Sequence, residues 1–170
     1  PRLLAEAGVK KVLLVTGPNI VKTIGKRIMA ILEAAGVSYA VFSEVEANPS
    51  VTTAERIYER YRDNGCDGFI ALGGGSPMDS AKAIALLAVS DIERKNLFDG
   101  NVGNKALPMI HIPTTAGTGS EVTPYAILTN HEKQTKKSIA SPCLFPTYAL
   151  LDAKYTKNLG LATTVNTAID

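Results

Sequence analysis

Short apolar runs alternate with amphipathic stretches along this chain. Val12–Thr16 is rich in β-forming residues and predicts a first strand, and Ser38–Phe42 predicts a second. Gly68–Leu72 is apolar at successive positions, so we expect a third strand that is buried on both faces. Met109–Ile112 predicts a fourth strand of the same kind.

The stretches between these strands carry apolar residues at helical spacing. Gly36 follows the first of them, where a helix C-cap is expected. The order of elements favours an α/β fold with an open, mainly parallel, Rossmann-like sheet and helices on both faces. The predicted helices are Val21–Ala35, a segment capped by Thr52 or Thr53 that runs to about Gly65, and Ser76–Val89.

The pattern of the sequence changes after Pro113, where a short β-rich segment begins. A helical pattern returns at Thr156 and continues to Asp170. We therefore predict one α/β domain over residues 1–155 and the start of a helical domain over residues 156–170. The β-prone segments lie near Tyr125–Thr129, Lys137–Ala140 and Tyr148–Leu151.

Composition and charge exclude several classes of protein. The 170 residues carry a net charge of +2 and an apolar fraction of 45%, without the basic stripe that nucleic-acid binding requires. No apolar run approaches the length of a membrane span, and no signal peptide is recognisable, so we expect a cytoplasmic protein that binds neither nucleic acid nor membrane. Cys66 and Cys143 lack a CxxC partner and are expected to be buried or partly buried thiols.

The sharpest local feature is the glycine loop Gly73–Asp79, which lies between the third strand and a helix. Its glycines allow a tight turn and close approach of a ligand, and the helix N-terminus favours a phosphate. Ser76 is expected to cap the helix, Pro77 to occupy its first position, and Asp79 to complete a capping box. A turn that binds nothing is the alternative. The loop is neither a Walker A sequence nor G-x-G-x-x-G.

A second motif, Pro-Thr-Thr-Ala-Gly-Thr-Gly-Ser-Glu-Val-Thr, occupies residues 113–123. Together with Gly-Gly-Gly-Ser-Pro-Met-Asp, it resembles the iron-containing (group III) alcohol dehydrogenase family. The likeness extends to Asn48-Pro49, Lys136, Leu151-Asp152 and residues 165–170, and spans essentially the whole chain. Taken alone, residues 114–123 would be interpreted as an ordinary loop and Lys136 as a surface charge.

The resemblance implies that this chain is the dinucleotide-binding domain of such an enzyme. Gly74, Gly75 and Ser76 are then expected to cradle the pyrophosphate. Asp79 either caps its helix or faces the substrate cleft, and Lys137 is an alternative to Lys136. By position, Thr114, Thr115 and Thr118 match residues around the adenosine and its ribose-phosphate, while Asn48, Thr123, Tyr125, Lys136 and Leu151 match the remaining cofactor contacts.

The chain departs from the family at Gly17, where members commonly carry an Asp that repels the 2′-phosphate of NADP. Losing that carboxylate removes a like-charge penalty. We therefore expect NADP or NAD as the cofactor, with NADPH accepted. The alternative is that Gly17 serves only the turn with Pro18.

Asp170 matches the first metal ligand of the family's Asp-x-x-x-His, whose His lies beyond the sequence. The resemblance implies Fe²⁺ or Zn²⁺ in an intact enzyme, and one carboxylate is not expected to hold it here. Of the two histidines, His111 is expected to be a satisfied core residue and His131 to lie in an exposed turn.

The function that the resemblance implies is hydride transfer between a small alcohol or aldehyde and nicotinamide C4, with this fragment alone inactive. Homodimers are common in the family and are expected here. Glycerol dehydrogenases and dehydroquinate synthases share the architecture, but residues 113–121 argue against both. A non-catalytic nucleotide-binding or interaction module stays open as an alternative.

Overall fold

The computed structural model describes residues 1–90, 103–131, 134–157 and 159–169. Over these residues, helices and strands alternate through the first two thirds of the chain, and a hairpin and a last helix follow. The elements are α1 Arg2–Glu6, β1 Lys11–Thr16, α2 Lys26–Ala34, β2 Ser38–Phe42, α3 Val51–Asn64, β3 Gly68–Gly73, α4 Gly75–Leu87, β4 Met109–Pro113, β5 Tyr125–Asn130, β6 Thr135–Ala140, β7 Tyr148–Ala149 and α5 Leu161–Ile169.

Five strands form a parallel sheet in the order β2-β1-β3-β4-β7, and β5 and β6 form a separate antiparallel pair. The predicted parallel sheet and the β-rich segment after Pro113 are confirmed. β3 lies at the centre, and all six of its residues are buried. Its continuous apolar sequence therefore reflects helices that cover both faces of the sheet.

The two faces of the sheet belong to two separate hydrophobic clusters. Leu13 and Val15 of β1 point towards α3 and α4, whereas Leu14 points towards α1 and α2. This alternation is the period of two that a strand imposes on its side chains. Each fully buried Leu or Val contributes about 1.5–3 kcal/mol, so these clusters supply most of the stability of the fold.

Several element boundaries differ from those expected, and one helix was not expected at all. Ser50, rather than Thr52 or Thr53, caps α3, and its side-chain oxygen accepts a hydrogen bond from the Thr53 amide at 3.1 Å. Ser50 has the extended backbone that an N-cap needs, whereas Thr52 and Thr53 are already helical. The last helix begins at Leu161 rather than near Thr156, and the short helix α1 was not expected.

Helix α4 is buried at ten of its thirteen positions, because it packs against β3, α3 and the β5–β6 hairpin. Such a helix is expected to be apolar on all sides. The two charged residues that it does carry, Asp79 and Lys82, therefore need polar partners of their own.

Helix α5 approaches the loop between β4 and β5. A β-carbon added at Gly117 would lie 2.7 Å from the carbonyl oxygen of Thr167, so only glycine allows this approach. Leu161, Val165 and Ile169 of α5 are exposed. The division into domains at residues 155 and 156 stays a prediction.

Candidate functional site

The carboxyl ends of β1 and β3 mark a switch point in the sheet. From β1 the chain passes to β2 on one side, and from β3 it passes to β4 on the other. A hydrogen bond joins the two ends, since the Thr16 hydroxyl donates to the Leu72 carbonyl at 2.8 Å. Open α/β sheets bind ligands in the crevice at this position. Gly17 and the glycine loop therefore flank the expected binding crevice.

Gly73 makes the turn from β3 into α4. Its φ of +146° is disfavoured for other residues, and a β-carbon there would lie 2.6 Å from Cγ of Pro77. Its carbonyl oxygen accepts a hydrogen bond from the Thr114 amide at 2.8 Å. The turn thus joins the glycine loop to the start of the threonine loop, residues 114–118.

The expected capping box at the start of α4 is wrong. Gly74 is the N-cap, Ser76 lies inside the first turn, and Pro77 stands two residues later than expected. The shift occurs because Gly73 and Gly74 complete the turn within two residues, so Gly75 is already helical. Gly74 has no side chain with which to cap, and the first turn carries no acidic residue. Its backbone N–H groups and the positive end of the helix dipole can therefore serve an anion.

The glycine loop and the threonine loop are packed against each other. A β-carbon at Gly74 would lie 3.2 Å from Thr115 Oγ1, and one at Gly75 would lie 3.0 Å from Thr118 Oγ1. The absence of side chains therefore lets the threonines approach the start of the helix. Residues 73–76 and 114–118 together form what we call the two-loop cradle.

Asp79 is half-buried and binds the chain beyond the threonine loop. Its Oδ1 accepts from the Ser120 hydroxyl at 2.7 Å, and its Oδ2 accepts from the Ile127 amide at 3.2 Å. Burial raises the pKa of this carboxyl, an effect that the two hydrogen bonds and the charge of Lys82 oppose. Both oxygens of Asp79 therefore accept hydrogen bonds from other parts of the chain, and Asp79 does not cap its helix.

Lys82 was not singled out from the sequence, yet it is the largest charged group in the core. It is fully buried, and its Nζ donates to the carbonyl oxygens of Thr123 at 2.7 Å and Tyr125 at 2.8 Å. Burial lowers the pKa of Lys82 to about 8, although Asp79 and Glu121 act in the opposite direction. A charge within the apolar run after Met78 was the signal that could have found it.

His111 is buried as expected, but the expectation that its hydrogen bonds are satisfied is wrong. Both ring nitrogens lack a hydrogen-bond partner among the described residues. Burial lowers the pKa of His111 to about 3, and the charge of Lys82 acts in the same direction. By the alternation of β4, His111 lies on the same face of the sheet as Met109, whose cluster includes residues of α3 and α4.

Asn48 and Lys136, which the resemblance put at one cofactor, lie in contact. Lys136 of β6 donates to Oδ1 of Asn48 at 2.8 Å. Asn48 adopts a left-handed backbone with φ of +54°. Glu46 closes this loop by accepting from the Ser50 amide at 3.0 Å and the Thr53 hydroxyl at 2.6 Å, and these bonds, that from Thr53 above all, hold the pKa of Glu46 below its usual value.

The remaining expected cofactor residues follow the ends of β1, β4 and β7 or lie at or just before the start of β5. Thr114 is buried, Thr123 is half-buried, and Tyr125 and Leu151 are exposed. Gly17 lies at the end of β1, and a β-carbon there would make only an ordinary contact, 3.4 Å from the Val45 carbonyl oxygen. The turn therefore does not require glycine at this position. Whether these side chains touch a cofactor stays a prediction.

No metal site is formed by the residues that the structure describes, since no three His, Cys, Asp or Glu side chains are grouped to hold an ion. Asp170, the expected first ligand, lies outside the described residues.

His131 lies in an exposed turn, as expected. Cys66 is buried, which raises the pKa of its thiol, and Cys143 is half-buried.

Among the described residues, no helix has both the length and the apolar character needed to cross a membrane.

Comparison with known proteins identifies relatives of this chain. The sequence profile of the iron-containing alcohol dehydrogenase family matches residues 1–153. Choline dehydrogenase from Bacillus subtilis is 36% identical over 98% of this chain, which covers 43% of that protein.

Solved structures agree with the sequence match. NADH-dependent butanol dehydrogenase A from Thermotoga maritima superposes with a TM-score of 0.92 at 28% identity, over 99% of this chain and 43% of that one. Sulfoacetaldehyde reductase from Bifidobacterium kashiwanohense, solved in complex with NAD+, gives a TM-score of 0.88 at 32% identity, over 99% of this chain and 45% of that one. The chain thus spans less than half the length of these relatives.

Proposed function

The chain belongs to the iron-containing alcohol dehydrogenase family, and from this premise we propose that it binds a nicotinamide dinucleotide that exchanges a hydride with the substrate as a small alcohol and its aldehyde or ketone are interconverted. The activity is proposed for the protein to which these residues contribute. The relatives named above act on choline, butanol and sulfoacetaldehyde. Small alcohols and aldehydes are therefore the proposed substrate class.

The observation that carries the proposal is the two-loop cradle. The thirteen-residue helix α4 opens with an uncapped first turn, and the hydroxyls of Thr115 and Thr118 lie beside it. Gly74, Gly75 and Ser76 are half-buried, so a ligand can reach their backbone. A pyrophosphate matches such a site because N–H groups, hydroxyls and the helix dipole all favour a negative charge.

The rest of the dinucleotide would lie along the same edge of the sheet. Asn48 and Lys136 form one polar contact there, and Lys136 adds a positive charge that suits a phosphorylated ligand. We assign Thr123, Tyr125 and Leu151 to the same groove. In this arrangement the chain binds and orients the cofactor, which is a large part of the work in hydride-transfer enzymes.

When bound, the reduced nicotinamide would donate the hydride in carbonyl reduction, and its oxidised form would accept it in alcohol oxidation. The chemistry at the substrate oxygen is not assigned to the described residues, because they form no metal site. Their part is to hold the dinucleotide in place and to exclude water from its buried side.

We further propose that NADPH is accepted as well as NADH. Gly17 places no carboxylate at the end of β1, and a β-carbon there would make only an ordinary contact with the Val45 carbonyl oxygen. A ribose 2′-phosphate there would therefore meet no like charge from this residue. One of the relatives named above is NADH-dependent and another was solved with NAD+, which supports binding of NAD. Acceptance of NADPH rests on Gly17 alone.

Titration of the full chain with NADH and NADPH, followed by nicotinamide fluorescence, tests the proposal. We expect saturable binding of both. ADP-ribose, which keeps the pyrophosphate but lacks nicotinamide, should displace them by competition. No binding of either reduced dinucleotide would contradict the function, and binding that ADP-ribose cannot compete would contradict the cradle.

A further inference from the structure

Two side chains of α4, one turn apart, reach the same stretch of chain. Asp79 binds the Ser120 hydroxyl and the Ile127 amide, and Lys82 binds the carbonyls of Thr123 and Tyr125. All four partners lie within residues 120–127, which we call the clamped segment. Residues three apart on a helix share one face, so a single face of α4 holds this segment at several points.

The clamped segment directly follows the threonine loop. Gly119 turns the backbone with φ of +62°, and the Ser120 amide donates to Thr118 Oγ1 at 3.4 Å. The position of Ser120 therefore influences the position of Thr118. Because α4 also begins with the glycine loop, the same helix holds both sides of the two-loop cradle.

A buried charge at Lys82 is costly, and an apolar side chain of similar length would suit the surrounding core. Its carbonyl partners explain the lysine, because without it those oxygens would lose a donor in a buried place. Asp79 plays the complementary part by accepting from donors of the segment. The pair thus satisfies both acceptors and donors of the segment that leads into β5.

We propose that Asp79 and Lys82 are positioning residues for dinucleotide binding, because their hydrogen bonds to the clamped segment hold the threonine side of the cradle in the geometry that accepts the pyrophosphate. This inference rests on the proposed function. Neither residue touches the ligand. Both act through the segment that they hold.

The first test compares Asp79→Ala with Asp79→Asn in the full chain. Alanine removes both hydrogen bonds. In Asp79→Asn, the amide oxygen still accepts from Ile127, and the Ser120 hydroxyl can turn to accept from the amide nitrogen. We expect Asp79→Ala to weaken NADH binding by about tenfold and to speed exchange of the Ile127 amide hydrogen by a similar factor. Asp79→Asn should stay within about threefold of the wild type.

Lys82→Met and Ser120→Ala remove other hydrogen bonds between α4 and the clamped segment. Lys82→Met keeps the length of the side chain and should also weaken NADH binding, and Ser120→Ala removes one bond without altering a charge on the chain. Asp67→Asn is the matched control. Asp67 likewise accepts from backbone amides, those of Lys10 and Lys11, but at the amino ends of β1 and β3, away from the cradle. It should leave NADH affinity unchanged.

The outcomes separate this inference from the function on which it rests. Wild-type affinity in folded Asp79→Ala and Lys82→Met, or faster exchange at Ile127 with unchanged affinity, would overturn the positioning role alone. A wild-type chain that binds no dinucleotide would overturn the proposed function and the positioning role with it. Near-wild-type NADH affinity in Asp79→Asn together with weakened affinity in Asp79→Ala would support a role through hydrogen bonds to the clamped segment. A purely electrostatic role would require the charge and would be lost in both variants.

Discussion

Gly75 and Thr118 lie so close that a β-carbon added to the glycine would stand 3.0 Å from the threonine hydroxyl oxygen. They come from the two motifs that stand out in the sequence, and the fold brings these motifs together at the carboxyl edge of the sheet. The glycine loop is therefore not only a surface for a ligand. It is also the surface on which the second half of the site packs.

Gly75→Ala should weaken NADH binding because its methyl group displaces Thr118 by a few tenths of an ångström. We expect a loss of about tenfold, measured by fluorescence titration. Gly160→Ala is the control, since a β-carbon at Gly160 meets nothing within 4 Å. Equal affinity in Gly75→Ala and the wild type would contradict a cradle built from both loops.

Gly17→Asp should change the choice of cofactor. A carboxylate at the end of β1 would repel a 2′-phosphate, so the ratio of NADPH to NADH affinity should fall by roughly tenfold or more. Gly17→Asn adds a side chain of the same size without the charge. If Gly17→Asp and Gly17→Asn alter the ratio equally, bulk rather than charge controls the site and the argument for NADPH fails.

Lys136→Met should weaken binding of both dinucleotides and reduce its dependence on salt. The ammonium group beside Asn48 is exposed, so its charge-assisted contact contributes at most about 1 kcal/mol. Affinity measured at low and high salt checks the effect. Lys10→Met, at the opposite edge of the sheet, should leave both quantities unchanged, and an equal loss in both variants would point to net charge alone.

His111 should make the fold sensitive to acid. Its folded-state pKa of about 3 lies below the unfolded value of 6.5, so the unfolded chain binds one more proton between these values. Stability is therefore lost as the pH falls from 6.5 towards 3, by at most about 1.4 kcal/mol per pH unit from this group. Urea unfolding at several pH values measures the slope.

His111→Leu should flatten that slope and preserve or raise stability at neutral pH, because it removes two buried nitrogens that lack partners. His131→Gln, at an exposed turn, is the matched control and should keep the wild-type slope. A His111→Leu variant with unchanged acid sensitivity would show that the imidazole is protonated as readily in the folded chain as in the unfolded one.

The regular elements were predictable because their signals are local. The second strand occupies the predicted Ser38–Phe42, and the buried β3 extends the predicted Gly68–Leu72 by one residue. A continuous apolar run followed by glycines leaves few alternatives to a central parallel strand. The family resemblance placed Asn48 and Lys136 at one cofactor, but the contact between them was not predicted, since one lies after β2 and the other on β6.

The partners of charged groups in the core were not predictable from local sequence. A capping box at Ser76 and Asp79 satisfied every local rule, yet Gly74 occupies the N-cap position without a side chain to cap the helix, and Asp79 binds Ser120 and Ile127, which lie far along the chain. Lys82 and His111 depend in the same way on what packs over them. Tertiary contacts overrode local preference at the positions that build the candidate site.

The most direct test of the two-loop cradle is to follow backbone amides by NMR as NADH is added to the ¹⁵N-labelled 18.0 kDa chain. We predict that the largest shifts fall on Gly74, Gly75 and Ser76 and on Thr115 and Thr118, with little change at the opposite edge near Asp67. Binding that shifts amides elsewhere and leaves the glycine loop unchanged would contradict the assignment of this site.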